Sequence, residues 1–259
     1  MRPPASVLLA LCLTVCACVA HADEETTEPT VTPYRPTVSN PADLPVPGWL
    51  ELEAGGLRVH TADGTRTDTV PWLLKYAFDG DSGLLLGGNA FDRMRAPDGT
   101  RASGLGDTLL EWKQRFALHE GAAFGIEAGV NLPTARASLG IGKPAWLFNG
   151  IYSTDLGTSH LDLNLGGARY TLKQPHTAQW QSAWAAALSH PLGETFGLAV
   201  ELSGTAQHGA GATHQLLGAI NYNLSRRVVL DCGVARNLDH AAHDRSVFAG
   251  GTFLLGKFP

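Results

Sequence analysis

Asp107, Glu111, Lys113 and Arg115 are all odd-numbered, so in an extended chain their four side chains leave one face, opposite Trp112 and Phe116. Two acids and two bases on one strand face can line a wet passage and bias which solutes cross it. They can equally neutralise one another across a closed interior. Glu51, Glu53, Lys75, Glu127, Asn131, Glu201, Arg227 and Asp231 are further candidates to line the same interior. Both signs are represented, which argues against a strongly anion-selective passage. The spacing also sets a register. His119-Glu120-Gly121 suits a three-residue hairpin loop with glycine in the left-handed position, so residues whose numbers sum to 240 face one another. Lys113 is then opposite Glu127, and Arg115 is beside Gly125.

Other chemistry is thinly represented. Ser189 and His190 are adjacent, which sends their side chains to opposite strand faces, and no other Ser/His pair has same-face spacing beside an acid. His240 and His243 have ligand-like spacing, but without cysteines or a carboxylate cluster they read as surface residues. No catalytic residue, metal site or cofactor is assigned. No basic run of the kind that neutralises nucleic-acid phosphates is present, so nucleic acid is not a partner.

The elements that position these residues follow a secretory signal. Residues 1–22 carry a cation at Arg2, an apolar stretch from Val7 to Val19 and the small-x-small end Ala20-His21-Ala22, a signal peptide cut after Ala22. Lipoprotein processing at Cys18 is the alternative, with Cys16 a poor fit to that pattern. Cys12, Cys16 and Cys18 leave with the signal, so Cys232 alone enters an oxidising compartment and no intrachain disulfide forms. The mature chain keeps 18 basic against 24 acidic side chains and 30 glycines. It has no apolar run long enough for a membrane helix.

Residues 23–47 are acidic and rich in Pro and Thr, with little to bury, and read as an extended, mostly disordered periplasmic leader. A plug of the interior is the alternative, disfavoured by the scarcity of apolar residues to dock. From 48 to 259 the pattern is all-β. Twelve strands are expected at 48–61, 65–78, 83–93, 105–117, 122–133, 144–156, 159–171, 178–189, 195–207, 213–223, 227–237 and 245–258. Connections alternate short and long, apart from a tight Asp63-Gly64 turn. That is the pattern of a transmembrane antiparallel up-and-down β-barrel with short periplasmic turns and longer outer loops.

Alternation assigns the faces. Phe124, Ile126, Ala128, Val130 and Leu132 oppose Glu127 and Asn131; Phe196, Leu198, Val200 and Leu202 oppose Glu201; Leu161, Leu163 and Leu165 oppose Asp162 and Asn164. The apolar set belongs in lipid and the polar set inside. Aromatics fall into two groups along the strands, as membrane interfaces require. Trp49, Phe78, Phe116, Phe124, Phe196, Tyr222 and Phe258 form one. Trp72, Phe91, Trp146, Tyr170, Trp180 and Phe248 form the other. Phe258 is next to last, one place from the terminal aromatic that barrel-assembly machinery reads.

Gly104-Leu105-Gly106-Asp107, running into Lys113-Gln114-Arg115-Phe116, resembles the outer-membrane family labelled "putative MetA-pathway of phenol degradation". Gly129-Val130-Asn131-Leu132-Pro133-Thr134 is similar to that family's next strand, and Val200-Glu201-Leu202-Ser203-Gly204 to a later one, over roughly 100–258. Ala135 stands where a glycine often follows the L-P-T. The resemblance implies a transporter-like barrel associated with catabolism of aromatic compounds.

The expectation is therefore a barrel in a Gram-negative outer membrane, partnered by outer-membrane lipid and a small-molecule solute. About 12 Å of backbone radius leaves a lumen of order 10 Å for twelve strands at the usual spacing and tilt. Passive diffusion of small solutes, aromatic or hydrophobic compounds among them, is the function expected. The competing readings are a structural barrel, disfavoured by short outer loops, and a barrel-embedded lipid-modifying enzyme, disfavoured by the missing nucleophile–base pair. Nothing in the sequence assigns an oligomeric state.

Overall fold

A computed structural model describes residues 29–136, 138–239 and 243–258. The expected signal peptide, residues 23–28 of the expected leader, His240 and Pro259 lie outside these. The strands are β1 (Trp49–His60), β2 (Arg66–Ala77), β3 (Ser82–Arg95), β4 (Arg101–Gly104), β5 (Thr108–His119), β6 (Ala122–Leu132), β7 (Ala145–Leu156), β8 (Ser159–Tyr170), β9 (Trp180–Leu192), β10 (Phe196–Gln207), β11 (Gly211–Ser225), β12 (Val228–Asn237) and β13 (Arg245–Lys257). All pairings are antiparallel, and β1 pairs with β13 from Trp49↔Lys257 to His60↔Arg245. That pairing closes a ring of twelve strands, and β4 hangs on the end of β3 as a thirteenth. Closure matters because in lipid every backbone polar group must be paired internally.

The extra strand corrects the sequence reading, which has a loop over 94–104. β3 runs on to Arg95, turns through Asp98 and Gly99, and returns as β4. Gly99 takes φ 86°, and the Asp98 carboxylate accepts the Thr100 amide at 2.8 Å, so the Asp-Gly pair supplies what a tight hairpin needs.

Connections at one end of the barrel are short, at 78–81, 120–121, 157–158, 193–195 and 226–227, and this end also carries Trp49 and Lys257. At the other end the connections at 61–65, 133–144, 171–179 and 238–244 and the stretch 96–107 that holds β4 are longer, whereas β10 and β11 are joined by three residues, 208–210. The short-turn end is periplasmic by the general rule for such barrels.

The burial pattern inverts that of a soluble protein. The largest fully buried side chains include Lys75, Lys113, Glu51, Glu127 and Glu201, whereas Trp112, Ile126, Leu163, Leu165, Leu198 and Val200 are exposed. The expected assignment of faces holds on β5, β6, β8 and β10. Stacked or edge-on aromatic pairs mark the periplasmic interface at Phe116–Phe124, Phe78–Trp112 and Tyr76–Phe258, and Phe148–Trp180 marks the outer one. Three expected girdle members belong elsewhere. Trp49 packs inside against Val31, Val229 and Leu254; Phe248 packs inside against Leu217, Ala219 and Ala235; the Tyr170 hydroxyl reaches Gln181. Each lies on the inward parity of its strand.

Candidate functional site

Residues 29–47 do not form the expected disordered periplasmic leader. They are placed inside the barrel, with Tyr34, Ser39, Ala42 and Leu44 buried. Prolines at 29, 33, 36, 41, 45 and 47 prevent this stretch from pairing with itself, so its amides remain free to donate outward. The wall supplies the acceptors. Thr32 N donates to Glu51 at 2.9 Å, Tyr34 N and Arg35 N to Glu53 at 2.6 and 3.2 Å, and Val38 N and Ser39 N to one Glu201 oxygen, each at 2.8 Å. Asn40 N donates to Asn164 at 3.0 Å and Ala42 N to the Ser153 hydroxyl at 2.7 Å. Docking is mainly polar, with Val31 against Val229 and Leu254 and Ala42 against Ala123 and Ile151 as apolar contacts, and counting apolar residues could not detect it.

Charged side chains complete the attachment. Arg35 grips Asp231 in a two-pronged pair at 2.8 and 2.9 Å, with the Asp231 side chain only 2% exposed. A Cβ on Gly55 or Gly250 would come within 2.9 or 2.7 Å of that guanidinium, so these paired inward glycines leave its path clear. Arg115 pairs with Asp43 at 2.7 Å, and the Asn40 amide bridges both Glu127 oxygens at 3.0 Å. Tyr34 sits between two ammonium groups, Lys75 at 3.8 Å and Lys113 at 4.0 Å from its ring centroid, and its hydroxyl donates to the Asp43 carbonyl.

The wall beneath carries the charges the spacing singled out. Lys75 contacts Glu51 at 2.5 Å and Glu53 at 2.6 Å. Lys113 faces Glu127 across the β5–β6 ladder at 3.1 Å, in the register that sums to 240, and also donates to the Pro41 carbonyl at 2.5 Å. Gly121 takes φ 74°, but the expected three-residue loop is a two-residue connection at 120–121: His119 pairs with Ala122, and a bulge between Ala117 and His119 restores the sum of 240. Glu111 and Asn131 are half-buried on the inward parity of β5 and β6, outward of the Lys113–Glu127 pair. Arg227 lies at the periplasmic mouth, its guanidinium 5.1 Å from the Trp49 ring centroid. Asp107 does something different: its carboxylate accepts the Ala135 and Ile141 amides at 3.0 and 2.7 Å, tying down the loop between β6 and β7.

Two cavities flank the docked segment, and Arg35 and Pro36 line both. The outer one, about 460 Å³, is faced by Val38, Leu57, Val59, Leu217 and Phe248, with Ser203 and Gln215 among its polar edges. The periplasmic one, about 720 Å³, is more polar, with His160, Asp162, Asn221 and Asn223. The segment is thus the partition between two halves of one lumen.

Sequence reasoning placed Asp162 and Asn164 inside but missed the docked residues themselves and the Ser153, Asp155 and His160 side chains gathered about Asp162 on β7 and β8. The Ser153 hydroxyl donates to Asp162, and His160 contacts Asp155 at 2.6 Å and Asp162 at 3.3 Å. The serine hydroxyl is engaged with a carboxylate and an amide, and the His160 ring is turned to two carboxylates, so the imidazole does not address that hydroxyl. The inward parity of Asp162 and Asn164 was the available signal. Ser159 and His190 touch at 2.9 Å on the outward parity, at the periplasmic rim. No cluster of three metal-ligating side chains occurs among the described residues.

The family model described as "Putative MetA-pathway of phenol degradation" matches residues 35–255. No curated protein matches the sequence. Among solved structures, an outer membrane channel from Pseudomonas putida F1 is similar with a TM-score of 0.65 at 13% identity, covering 90% of this chain and 100% of that one. The NanC porin is similar with a TM-score of 0.58 at 6% identity, covering 77% and 98%, and the CymD monoaromatic hydrocarbon channel with 0.50 at 9%, covering 81% and 89%. At these identities the likeness is one of fold.

Proposed function

We propose that this chain, which belongs to the family described as "Putative MetA-pathway of phenol degradation", is an outer-membrane channel for passive diffusion of small solutes carrying apolar or aromatic parts. The observation that carries this reading is the pair of cavities separated by one thin stretch of chain, Arg35 to Val38. A solid structural barrel would have no use for two vestibules meeting at a single partition. The outer vestibule offers Val38, Leu57, Val59, Leu217 and Phe248 to a solute, with hydroxyl and amide groups at its edge. That mixture suits a small aromatic compound bearing one or two polar groups. Passage requires the partition to shift, and lumen charges then bias the choice of solute. The fold shared with the Pseudomonas channel and the kinship of fold with a monoaromatic hydrocarbon channel support the reading.

Single-channel recording of the purified barrel tests it. The full-length protein should show brief openings that an aromatic acid blocks in a dose-dependent way, and a variant lacking residues 31–44 should conduct continuously. Silence from both proteins would favour a structural barrel.

A further inference from the structure

The outer surface carries a second feature that passage through the lumen does not use. Ladder partners place Arg101, Arg95, Arg66, His60, Arg245 and Arg236 in one unbroken cross-strand row over β4, β3, β2, β1, β13 and β12. All six have the outward parity of their strands, and the row below adds Arg93 and Arg58 around Asp68. Asp68 pairs with Arg58 at 2.5 Å and Arg66 at 2.7 Å; among the described residues Arg93, Arg95, Arg101, Arg236 and Arg245 have no ion-pair partner. Like charges directly opposite one another destabilise a sheet. Seven arginines against one aspartate concentrate positive charge on this face of a chain of net charge -5, a match for an external anion.

The position of the row says which anion. Strand tilt makes it climb: beyond Arg236 it continues into Leu216 and then Leu202, exposed apolar residues of the lipid face, so Arg236 is the end nearest hydrocarbon and Arg101 the end farthest out. At that lower end lies an exterior groove of about 800 Å³, headed by Arg58, Arg236 and Arg245 and running down between Val200, Gly218 and Val234. Gly218 has nothing within 4 Å of its Cβ position, which leaves the floor of the groove open. Cations above an apolar slot match an amphiphile with an anionic head and acyl chains. The far wall is built differently, with Trp146, Arg169 and Trp180 in its cross-strand row.

We propose that this arginine ladder and groove bind a phosphate-bearing glycolipid of the outer leaflet, phosphates on Arg58, Arg236 and Arg245 and an acyl chain in the slot. The arginines farther out meet the remaining anionic groups of its head, and the counter-charge relieves repulsion along the row.

Native mass spectrometry of the full-length barrel in detergent, titrated with bis-phosphorylated lipid A, reads the site directly. The R58Q/R236Q/R245Q variant should bind about a hundredfold more weakly, since each cation near an anionic lipid surface contributes about fivefold. R58K/R236K/R245K should keep most of the affinity, and R169Q on the far wall all of it. Heat-modifiable gel migration establishes that each variant is a closed barrel. Equal binding by the triple Gln variant would overturn the proposal, as would equal binding of dephosphorylated lipid A. Displacement of the lipid by inorganic phosphate at comparable concentration would instead assign a free-anion site and overturn the lipid.

Discussion

Replacing Arg35 with alanine removes the most specific attachment of the lumenal segment while leaving the ladders of the barrel intact. Arg35 makes two charge-assisted bonds to Asp231, whose side chain is 2% exposed, and its own side chain is 17% exposed. Leaving one partner of such a buried pair uncompensated costs about 3–5 kcal/mol. Most of that cost falls on the docked state, because once the segment leaves, Asp231 faces water. A shift of about 3 kcal/mol changes the docked-to-undocked ratio roughly a hundredfold. In planar-bilayer recordings R35A should therefore spend about a hundredfold more time open than the wild type at equal protein. The double variant R35A/D231A should close again in part, because no orphaned carboxylate is left behind. If R35A migrates as a folded barrel yet conducts no more than the wild type, the segment is not the barrier and the reasoning fails.

Three further outcomes are expected. Lys113→Glu should shift ion selectivity toward cations, and adding Glu127→Lys should largely restore it, since the two side chains face each other at 3.1 Å; unchanged reversal potentials in conducting variants would place the pair outside the permeation path. Val200→Arg, exposed on the lipid face, should cost about 2–4 kcal/mol in lipid unfolding experiments, whereas Asn131→Arg on the inner face should cost much less; equal losses would mean the faces are misassigned. In a Cys232→Ser background, cysteines at Asp98 and Lys173 should react with an impermeant maleimide on intact cells, and one at Gly157 should react only after the outer membrane is opened. The opposite labelling would invert the barrel.

The strands were legible in the sequence because alternation is a local property: Glu127 and Asn131 sit among Phe124, Ile126 and Val130 whatever the rest of the chain does. The Lys113–Glu127 pair was legible for a similar reason, since a nearby glycine turn and the one-residue bulge beside it set its register. The docked segment was not. Its partners are main-chain amides, which carry no residue identity, and carboxylates as far away as Asp231. The prolines at 33, 36 and 41 and the inward glycines Gly55 and Gly250 were its visible trace, meaningful only once a lumen is known. Trp49, Tyr170 and Phe248 were misfiled because aromatics near a strand end were assigned to lipid by position along the strand, without using the parity that points them inward. The arginine ladder lies farthest from sequence view. Its members are scattered from Arg58 to Arg245, and only the closure of β1 on β13 makes neighbours of His60 and Arg245.

That same closure orders events in time. The lumenal segment precedes β1 in the chain, yet its partners lie on β1, β2, β5, β6, β7, β8, β10 and β12, and Arg35 is separated from Asp231 by 196 positions. Contacts of such separation are costly to form before the intervening chain is in place. Until the last strand meets the first, Glu201 and Asp231 do not share a cavity with Glu53, and the segment has nowhere complete to dock. Before docking, these carboxylates have water rather than the segment's amides as their partners. A stretch that precedes the first strand thus completes its contacts only once the last strand is paired.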